Sequence, residues 1–279
     1  MDCLCERENP AVEGKTMNER ISNFLFDIYE QGKAILEGVS GEAVCHKSAN
    51  DLLTKADLAL NDFFTHAIQT TFPEAKIIAE ESENGTLGDE LTFVVDPLDG
   101  TCNFSRGVKL HGIQIAVMEN KECVASLVGL PRLDLVYYAE KGKGCYRNGE
   151  RIRIDANISH EDGILSLSDF YHDEDDIEFD DQFKLVAALQ GDFLKTRLFG
   201  AACYDFAALA EGQSQAYLCY YRHIWDIAPG FLIAKEAGAV YARLNGSEYH
   251  YGDESIVVAN NEETLNLVLT KAKPFLRRA

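Results

Sequence analysis

Between Ala75 and Tyr146 the chain is cut into short apolar runs: Ala75–Ala79, Leu91–Val95, Gly112–Met118, Cys123–Leu130, Leu135–Ala139 and Gly144–Tyr146. Runs this short, bounded by polar turns, read as β-strands. Their spacing, with turn candidates at Glu119–Asn120 and Arg147–Asn148–Gly149, predicts a largely antiparallel sheet. Ahead of them lie two stretches at helical spacing. Ile21, Phe24, Leu25, Ile28 and Tyr29 mark a helix from Met17 to about Leu36. Leu58, Leu60, Phe63, Phe64, Ala67 and Ile68 mark another over Asp57–Thr71, which Pro73 ends.

After residue 155 the rhythm alternates. Strand-like Ile164–Leu167 is followed by the acidic segment Asp169–Asp181 and a helix, Gln182–Leu189. Leu194–Leu198 precedes a helix over Tyr204–Glu211, Ala216–Tyr220 one over Asp226–Gly238, and Ile256–Ala259 a last one over Glu262–Leu276, capped by Asn260 or Asn261. The chain therefore reads as α+β: a polar tail over 1–16, an N-terminal α+β lobe over 17–154 and a C-terminal α/β lobe over 155–279. Within the acidic segment, the run from His172 to Asp181 reads as a solvated loop rather than a cation site.

Charge narrows the function. Twenty-six basic against 46 acidic residues leave a net charge of −20. Such a surface repels nucleic acid and anionic membranes. No apolar stretch is long enough to span a bilayer, and Met1–Arg20 lacks the apolar core of a signal peptide. The expectation is a cytoplasmic protein with no nucleic-acid or membrane partner. The eight scattered cysteines show no paired zinc spacing and read as reduced, mostly buried side chains. An acidic protein with an anionic substrate needs local positive charge, from basic side chains or from bound cations.

Three blocks carry chemistry. Ile77-Ile-Ala-Glu-Glu-Ser82 ends a buried strand in two carboxylates. In Val94-Val-Asp-Pro-Leu-Asp-Gly-Thr-Cys-Asn-Phe104 a buried strand delivers Asp96, Pro97 forces a turn, and Asp99-Gly100-Thr101 opens a short helix. In Ile224-Trp-Asp-Ile-Ala-Pro-Gly230, Asp226 heads an apolar helix. Each alone has a plain structural reading: a solvated strand end, a type I turn and a helix N-cap. Together they fit a hard cation, since Mg²⁺ takes oxygen ligands and is usually held by a few carboxylates, waters and substrate phosphate. Asp96 and Asp99 can face one point, the Leu98 carbonyl is a further ligand, and Glu80 and Asp226 complete two adjacent sites. The Gly100 and Thr101 N–H groups form a phosphate cradle.

At this point the chain resembles the inositol monophosphatase family of magnesium-dependent, lithium-sensitive phosphatases. The resemblance rests on five blocks in order, from about Met17 to the C-terminus. Besides Glu80-Glu81, Asp96-Pro-Leu-Asp-Gly-Thr101 and Trp225-Asp226, they are Lys47-Ser-Ala-Asn-Asp-Leu-Leu-Thr-Lys-Ala-Asp57 and Arg197-Leu-Phe-Gly-Ala-Ala-Cys203. The resemblance implies a layered α-β-α-β-α sandwich of the inositol monophosphatase and fructose-1,6-bisphosphatase type, usually a homodimer. It implies a first metal on Glu80, Asp96 and the Leu98 carbonyl, and a second on Asp96, Asp99 and Asp226. Glu80 would also position a weaker third ion through waters. The attacking water would be oriented by Glu80 and Thr101, with Asp57 supporting Thr101 and Glu81 further out. Two to three Mg²⁺ ions are implied, with Mn²⁺ as a substitute and Li⁺ and Ca²⁺ as inhibitors. Substrate contacts would come from Asp99, Gly100, Thr101, Gly200, Ala201, Ala202, Cys219, Arg222 and Asp226.

The departures fall on the side that reads the substrate's alcohol half. Where inositol-binding members carry a Glu seven residues ahead of the Trp-Asp aspartate, this chain has Cys219, which cannot match a carboxylate's hydrogen bonds to hydroxyls. The small hydroxyl residue after Gly200 is replaced by Ala201. Arg222 would meet a second phosphate or carboxylate, or else lie on the surface or at a dimer interface, and His223 reads as structural. The expected activity is hydrolysis of a small polyol, sugar or amino-alcohol phosphate. A 3′(2′),5′-bisphosphate nucleotidase is the alternative within catalysis, although Cys102-Asn103-Phe104 is closer to the sugar-phosphate branch. A non-catalytic regulator that keeps the fold is the alternative outside it.

Overall fold

The first helix, α1 (Met17–Gly38), begins at a capping box: the Thr16 hydroxyl accepts from the Glu19 N–H while the Glu19 carboxylate accepts from the Thr16 N–H. Thr16 thus belongs to the helix start rather than to a tail, and 1–15 lie outside the described residues. The structure, a computed structural model, describes residues 16–39, 43–48, 51–82, 85–172, 176–220, 223–253 and 255–277. A hairpin of β1 (Ala43–Ser48) and β2 (Asp51–Thr54), which periodicity did not reveal, leads into α2 (Lys55–Thr71). Its strands are short and carry no long apolar alternation to betray them.

Seven strands then form one sheet: β3 (Lys76–Ala79), β4 (Thr92–Asp99), β5 (Gly112–Glu119), β6 (Glu122–Leu130), β7 (Leu135–Glu140), β8 (Gly144–Arg147) and β9 (Glu150–Ile152), in sequence order, with the short α3 (Thr101–Ser105) between β4 and β5. Only β3 pairs in parallel, with β4; the others are antiparallel, β4 and β5 across the α3 connection and the rest across short turns. The second half supplies β10 (Ile164–Leu167), α4 (Phe179–Leu189), β11 (Lys195–Leu198), α5 (Ala202–Ala210), β12 (Ala216–Cys219), α6 (Ile224–Ala237), β13 (Val240–Ala242), β14 (Ile256–Ala259) and α7 (Glu262–Ala272). Its sheet runs β11-β10-β12-β14-β13, with the β11, β10 and β12 strands parallel.

Side-chain alternation sorts the core into layers. Phe93, Val95, Ile113 and Ile115 face α1 and α2, packing on Leu25, Ile28, Leu60 and Phe64. Val94, Ala116, Met118 and Val128 face the other way, onto Ala207 of α5 and Ala228 and Leu232 of α6. The second sheet covers the far side of α5 and α6 with Tyr217, Cys219, Ile256 and Val258, and its own outer face takes α4 and α7 through Leu185, Leu189, Leu265 and Val268. Five layers result, α-β-α-β-α, in which α5 and α6 are buried between both sheets. This is why α6 is apolar nearly all round.

Several boundaries differ from expectation for local reasons. Asn261, not Asn260, caps α7, its side chain accepting from the Thr264 N–H at 2.8 Å. That helix ends at Ala272, since Pro274 cannot donate and the chain tightens into a 3₁₀ turn over Lys273–Phe275. The acidic run is not solvated throughout. Asp176 accepts from Ser255 Oγ at 2.6 Å, Asn245 Nδ2 at 2.9 Å and Arg243 Nη2 at 3.1 Å. Ile177 beside it is buried, and Asp180 and Asp181 already lie in the first turn of α4, where their charge suits the helix dipole. The run is therefore a tie onto the 243–255 segment followed by a helix start.

Candidate active site

The strand β4 is buried along its whole length and ends in the site. On a regular strand, residues three apart point to opposite faces. Here the β4–β5 register slips between Asp96, opposite Gln114, and Asp99, opposite Gly112. Two residues, Pro97 and Leu98, are thereby fitted opposite Ile113 alone. This bulge reverses the parity of the strand end, bringing Asp96 and Asp99 to one side. The Leu98 N–H, diverted from the ladder, donates to Asp96 Oδ1 at 3.1 Å. Gly100 then turns the chain with φ 78° into α3. A Cβ there would lie 3.0 Å from both Ala201 Cβ and the Leu110 carbonyl, so both conformation and space require glycine.

Asp226 arrives from the other half of the chain. It is not the N-cap of α6, as its place ahead of an apolar run suggested. His223 caps, stacked on Trp225 at 4.5 Å between ring centroids, and Asp226 is the third helical residue. One carboxylate oxygen each from Asp96, Asp99 and Asp226 lie within 4.8 Å of one another. Asp96 and Asp99 are buried and Asp226 half-buried. Glu80, half-buried at the turn after β3, is brought beside Asp96 by its N–H bond to the Val95 carbonyl at 3.2 Å. Its turn is braced from α2, where Asn61 Nδ2 meets Ser82 Oγ at 3.1 Å. Glu81 is half-buried next to it.

The electrostatics follow from this crowding. Burial first, then the negative charges of Glu80, Asp99 and Asp226, push the Asp96 carboxyl well above the usual range. Burial pushes Asp99 up to about 6, although hydrogen bonds from Cys203 pull the other way. Such a set of oxygens, with three neighbouring carboxylates raising Asp96, fits a hard divalent cation: charge that is costly without one becomes a ligand set with one.

Around the cluster, Thr101 Oγ1 lies 2.9 Å from the Leu98 carbonyl and 3.0 Å from Asp57 Oδ1. The second oxygen of Asp57 accepts from Thr54 N at 2.7 Å and Thr54 Oγ1 at 2.5 Å, forming the capping box of α2. From the second half, Cys203 N donates to Asp99 Oδ2 at 2.5 Å, just past Gly200, Ala201 and Ala202, whose turn uses φ 71° at Gly200. Cys219, the last residue of β12, is fully buried among Phe231, Tyr249 and Ile256. Arg222 lies outside the described residues.

Two features escaped sequence reasoning. Tyr171, just past β10, has its hydroxyl pKa raised by burial and then by the negative charges of Asp226, Asp169, Cys219 and Asp99, so it lies within electrostatic reach of the cluster. The Cys203 amide was hidden because it acts through the backbone. No residue-type signal marks either, since both depend on which strand ends are neighbours.

A carboxylate cluster drawn from β4 of the first sheet and from α6, in a five-layer α-β-α-β-α sandwich, is the arrangement of a layered, metal-dependent phosphatase class, and the relatives of the chain bear that out. The chain belongs to the inositol monophosphatase family, whose sequence profile matches residues 15–274. An inositol monophosphatase of Dictyostelium discoideum is 30% identical over 256 residues, covering 89% of this chain and 93% of its own. A fructose-1,6-bisphosphatase/inositol-1-monophosphatase of Thermotoga maritima is 30% identical over 210 residues, covering 75% and 78%. Among solved structures, the extragenic suppressor protein suhB of Bartonella henselae superposes with a TM-score of 0.82 at 25% identity, covering 91% of this chain and 98% of that one. The chain is accordingly a phosphoric monoester hydrolase.

Proposed function

We propose that the chain hydrolyses a small phosphate monoester with Mg²⁺ held by Glu80, Asp96, the Leu98 carbonyl, Asp99 and Asp226. The observation that carries this reading is the convergence of Asp96, Asp99 and Asp226 within 4.8 Å in a site where burial and like charge oppose ionisation. Divalent ions bound there would neutralise the phosphate and make water a nucleophile near neutral pH.

The chain's own groups supply orientation. The Thr101 hydroxyl has one proton and two acceptors, the Leu98 carbonyl and Asp57. With that proton committed to Asp57, Thr101 Oγ1 is left as an acceptor that orients the attacking water together with Glu80. The N–H groups of Gly100 and Thr101 receive the phosphate oxygens. Asp57, buried and held by the start of α2, keeps the hydroxyl in that state. We take the working form to be a cytoplasmic homodimer carrying two to three ions, in keeping with the family resemblance.

The test is phosphate release from inositol-1-phosphate, fructose-1,6-bisphosphate, histidinol phosphate and an adenosine 3′,5′-bisphosphate, with graded Mg²⁺, Mn²⁺, Li⁺ and Ca²⁺. Release is expected to require Mg²⁺ or Mn²⁺ and to fall with Li⁺ or Ca²⁺. Release that survives a chelator overturns the metal reading.

Cys219 bears on substrate choice. A charged hydrogen bond is worth about 1.5–3 kcal/mol, so Cys219→Glu is expected to raise kcat/KM for inositol-1-phosphate by roughly 10-fold or more. The same change leaves a hydroxyl-free aryl phosphate unmoved. Because Cys219 is fully buried, the variant also loses thermal stability. Steady-state kinetics on both substrates check the contrast.

A further inference from the structure

One side chain joins the two halves of the site without touching the carboxylates. Asn103, half-buried on α3, points its amide nitrogen at three backbone carbonyls: Leu110 at 2.7 Å, Phe199 at 2.8 Å and Gly200 at 3.3 Å. An amide nitrogen carries two hydrogens, which match the two short contacts, and a ring of acceptors fixes the nitrogen on this side. No other short side chain offers two donors from one atom here. Leu110 lies just ahead of β5 in the first sheet, whereas Phe199 and Gly200 follow β11 in the second.

The consequence lies three residues on. The segment 199–203 is held at its start by Asn103 and at its end by the 2.5 Å bond from Cys203 N to Asp99 Oδ2. Gly200 and Gly100, both at positive φ, let this segment and the α3 entry approach, with Ala201 Cβ only 3.0 Å from where a Gly100 Cβ would stand. The hold of Asn103 on Phe199 and Gly200 is thus only three residues from the Cys203 N–H, at the start of α5, that donates to Asp99.

We propose that Asn103 is a positioning residue: an inter-sheet latch that sets the Asp99 carboxylate through the 199–203 segment and so tunes cation affinity. The inference rests on the metal reading above. Groups hydrogen-bonded directly to a metal ligand, as the Cys203 N–H is to Asp99, typically govern about 10–100-fold in affinity, and the latch acts through that bond. Asn103→Asp keeps the shape but turns a carboxylate toward three carbonyls; Asn103→Ser keeps one donor.

Two readouts decide it: hydrogen exchange of the Cys203 amide in the metal-free protein, and calorimetric titration with Mg²⁺. Asn103→Asp is expected to speed that exchange and to weaken Mg²⁺ binding about tenfold or more, with Asn103→Ser in between. If Asn103→Asp does not fold, Asn103→Ser carries the decision. Folded variants that only melt earlier, with exchange and Mg²⁺ affinity within about twofold of wild type, overturn the latch. A wild-type protein that binds no Mg²⁺ overturns the metal reading and the latch's effect on affinity together. Wild-type binding with unmoved variants removes the latch alone.

Discussion

Asp96→Asn is expected to lose on the order of 10³-fold or more in kcat/KM, as befits removal of a group that stabilises transition-state charge, while the metal-free protein becomes more stable. The two effects have one origin. Asp96 is buried and its carboxyl is raised by burial and by Glu80, Asp99 and Asp226. A carboxyl whose folded pKa lies above its unfolded value binds more protons in the folded state. Its contribution is therefore fully present below about pH 4 and is lost as pH rises through the folded pKa. For Asp99 that loss begins near pH 4 and is largely complete once pH has passed the folded value of about 6. The metal-free wild type should thus melt progressively earlier between about pH 4 and 7. Asparagine still accepts from the Leu98 N–H, fills the same space and carries no charge. Its melting temperature at pH 8 should exceed that of the metal-free wild type by a few degrees, about 2–4 °C for each kcal/mol recovered. Added Mg²⁺ should reverse the order, stabilising the wild type and leaving the variant unmoved. Steady-state kinetics check the rate loss, and thermal melts across pH, with and without Mg²⁺, check the stability changes.

Asp57→Asn should separate orientation from metal binding. Asp57 serves two partners at once, Thr101 Oγ1 on one oxygen and the Thr54 N–H and hydroxyl on the other. The amide has a single acceptor oxygen, so one partnership must fail. If the cap keeps the oxygen, the NH₂ group faces Thr101 and forces its hydroxyl to accept, so that Oγ1 no longer receives the water's proton. Loss of an oriented proton acceptor costs about 10²–10⁴ in rate. If the hydroxyl keeps the oxygen, the α2 capping box is lost instead, at about 1 kcal/mol. The expected result is a kcat lower by about 10²-fold, a modest drop in Tm, and Mg²⁺ affinity close to wild type. A variant that binds Mg²⁺ as poorly as Asp96→Asn would place Asp57 among the ligands instead.

The five-block order, the strand and helix rhythm and the carboxylates of the cluster were legible because each is written locally, in hydrophobic period or in adjacent residues. What was not legible depends on distant parts of the chain. Asp96 and Asp99 share a side because the β4–β5 register slips, and Pro97 hinted at a break without revealing its parity. Asn103 was visible only as part of a motif, since its partners Phe199 and Gly200 follow a strand of the other sheet. Asp226 looked like a cap because an acidic residue ahead of an apolar run is one by default. Two further helical residues, Ile224 and Trp225, precede it. Asp176 looked solvated because its partners Arg243, Asn245 and Ser255 are remote in sequence.

The central claim is that clustered carboxylates from both halves of the chain, Asp96 and Asp99 with Asp226, hold the catalytic cation. Calorimetric titration of Mg²⁺ into the metal-free protein at pH 8, beside Asp96→Asn and Asp226→Asn, tests it most directly. Saturable binding in the wild type, lost in both variants while their folds persist, is the predicted result. No binding in a folded wild type, or binding that survives both substitutions, would contradict it.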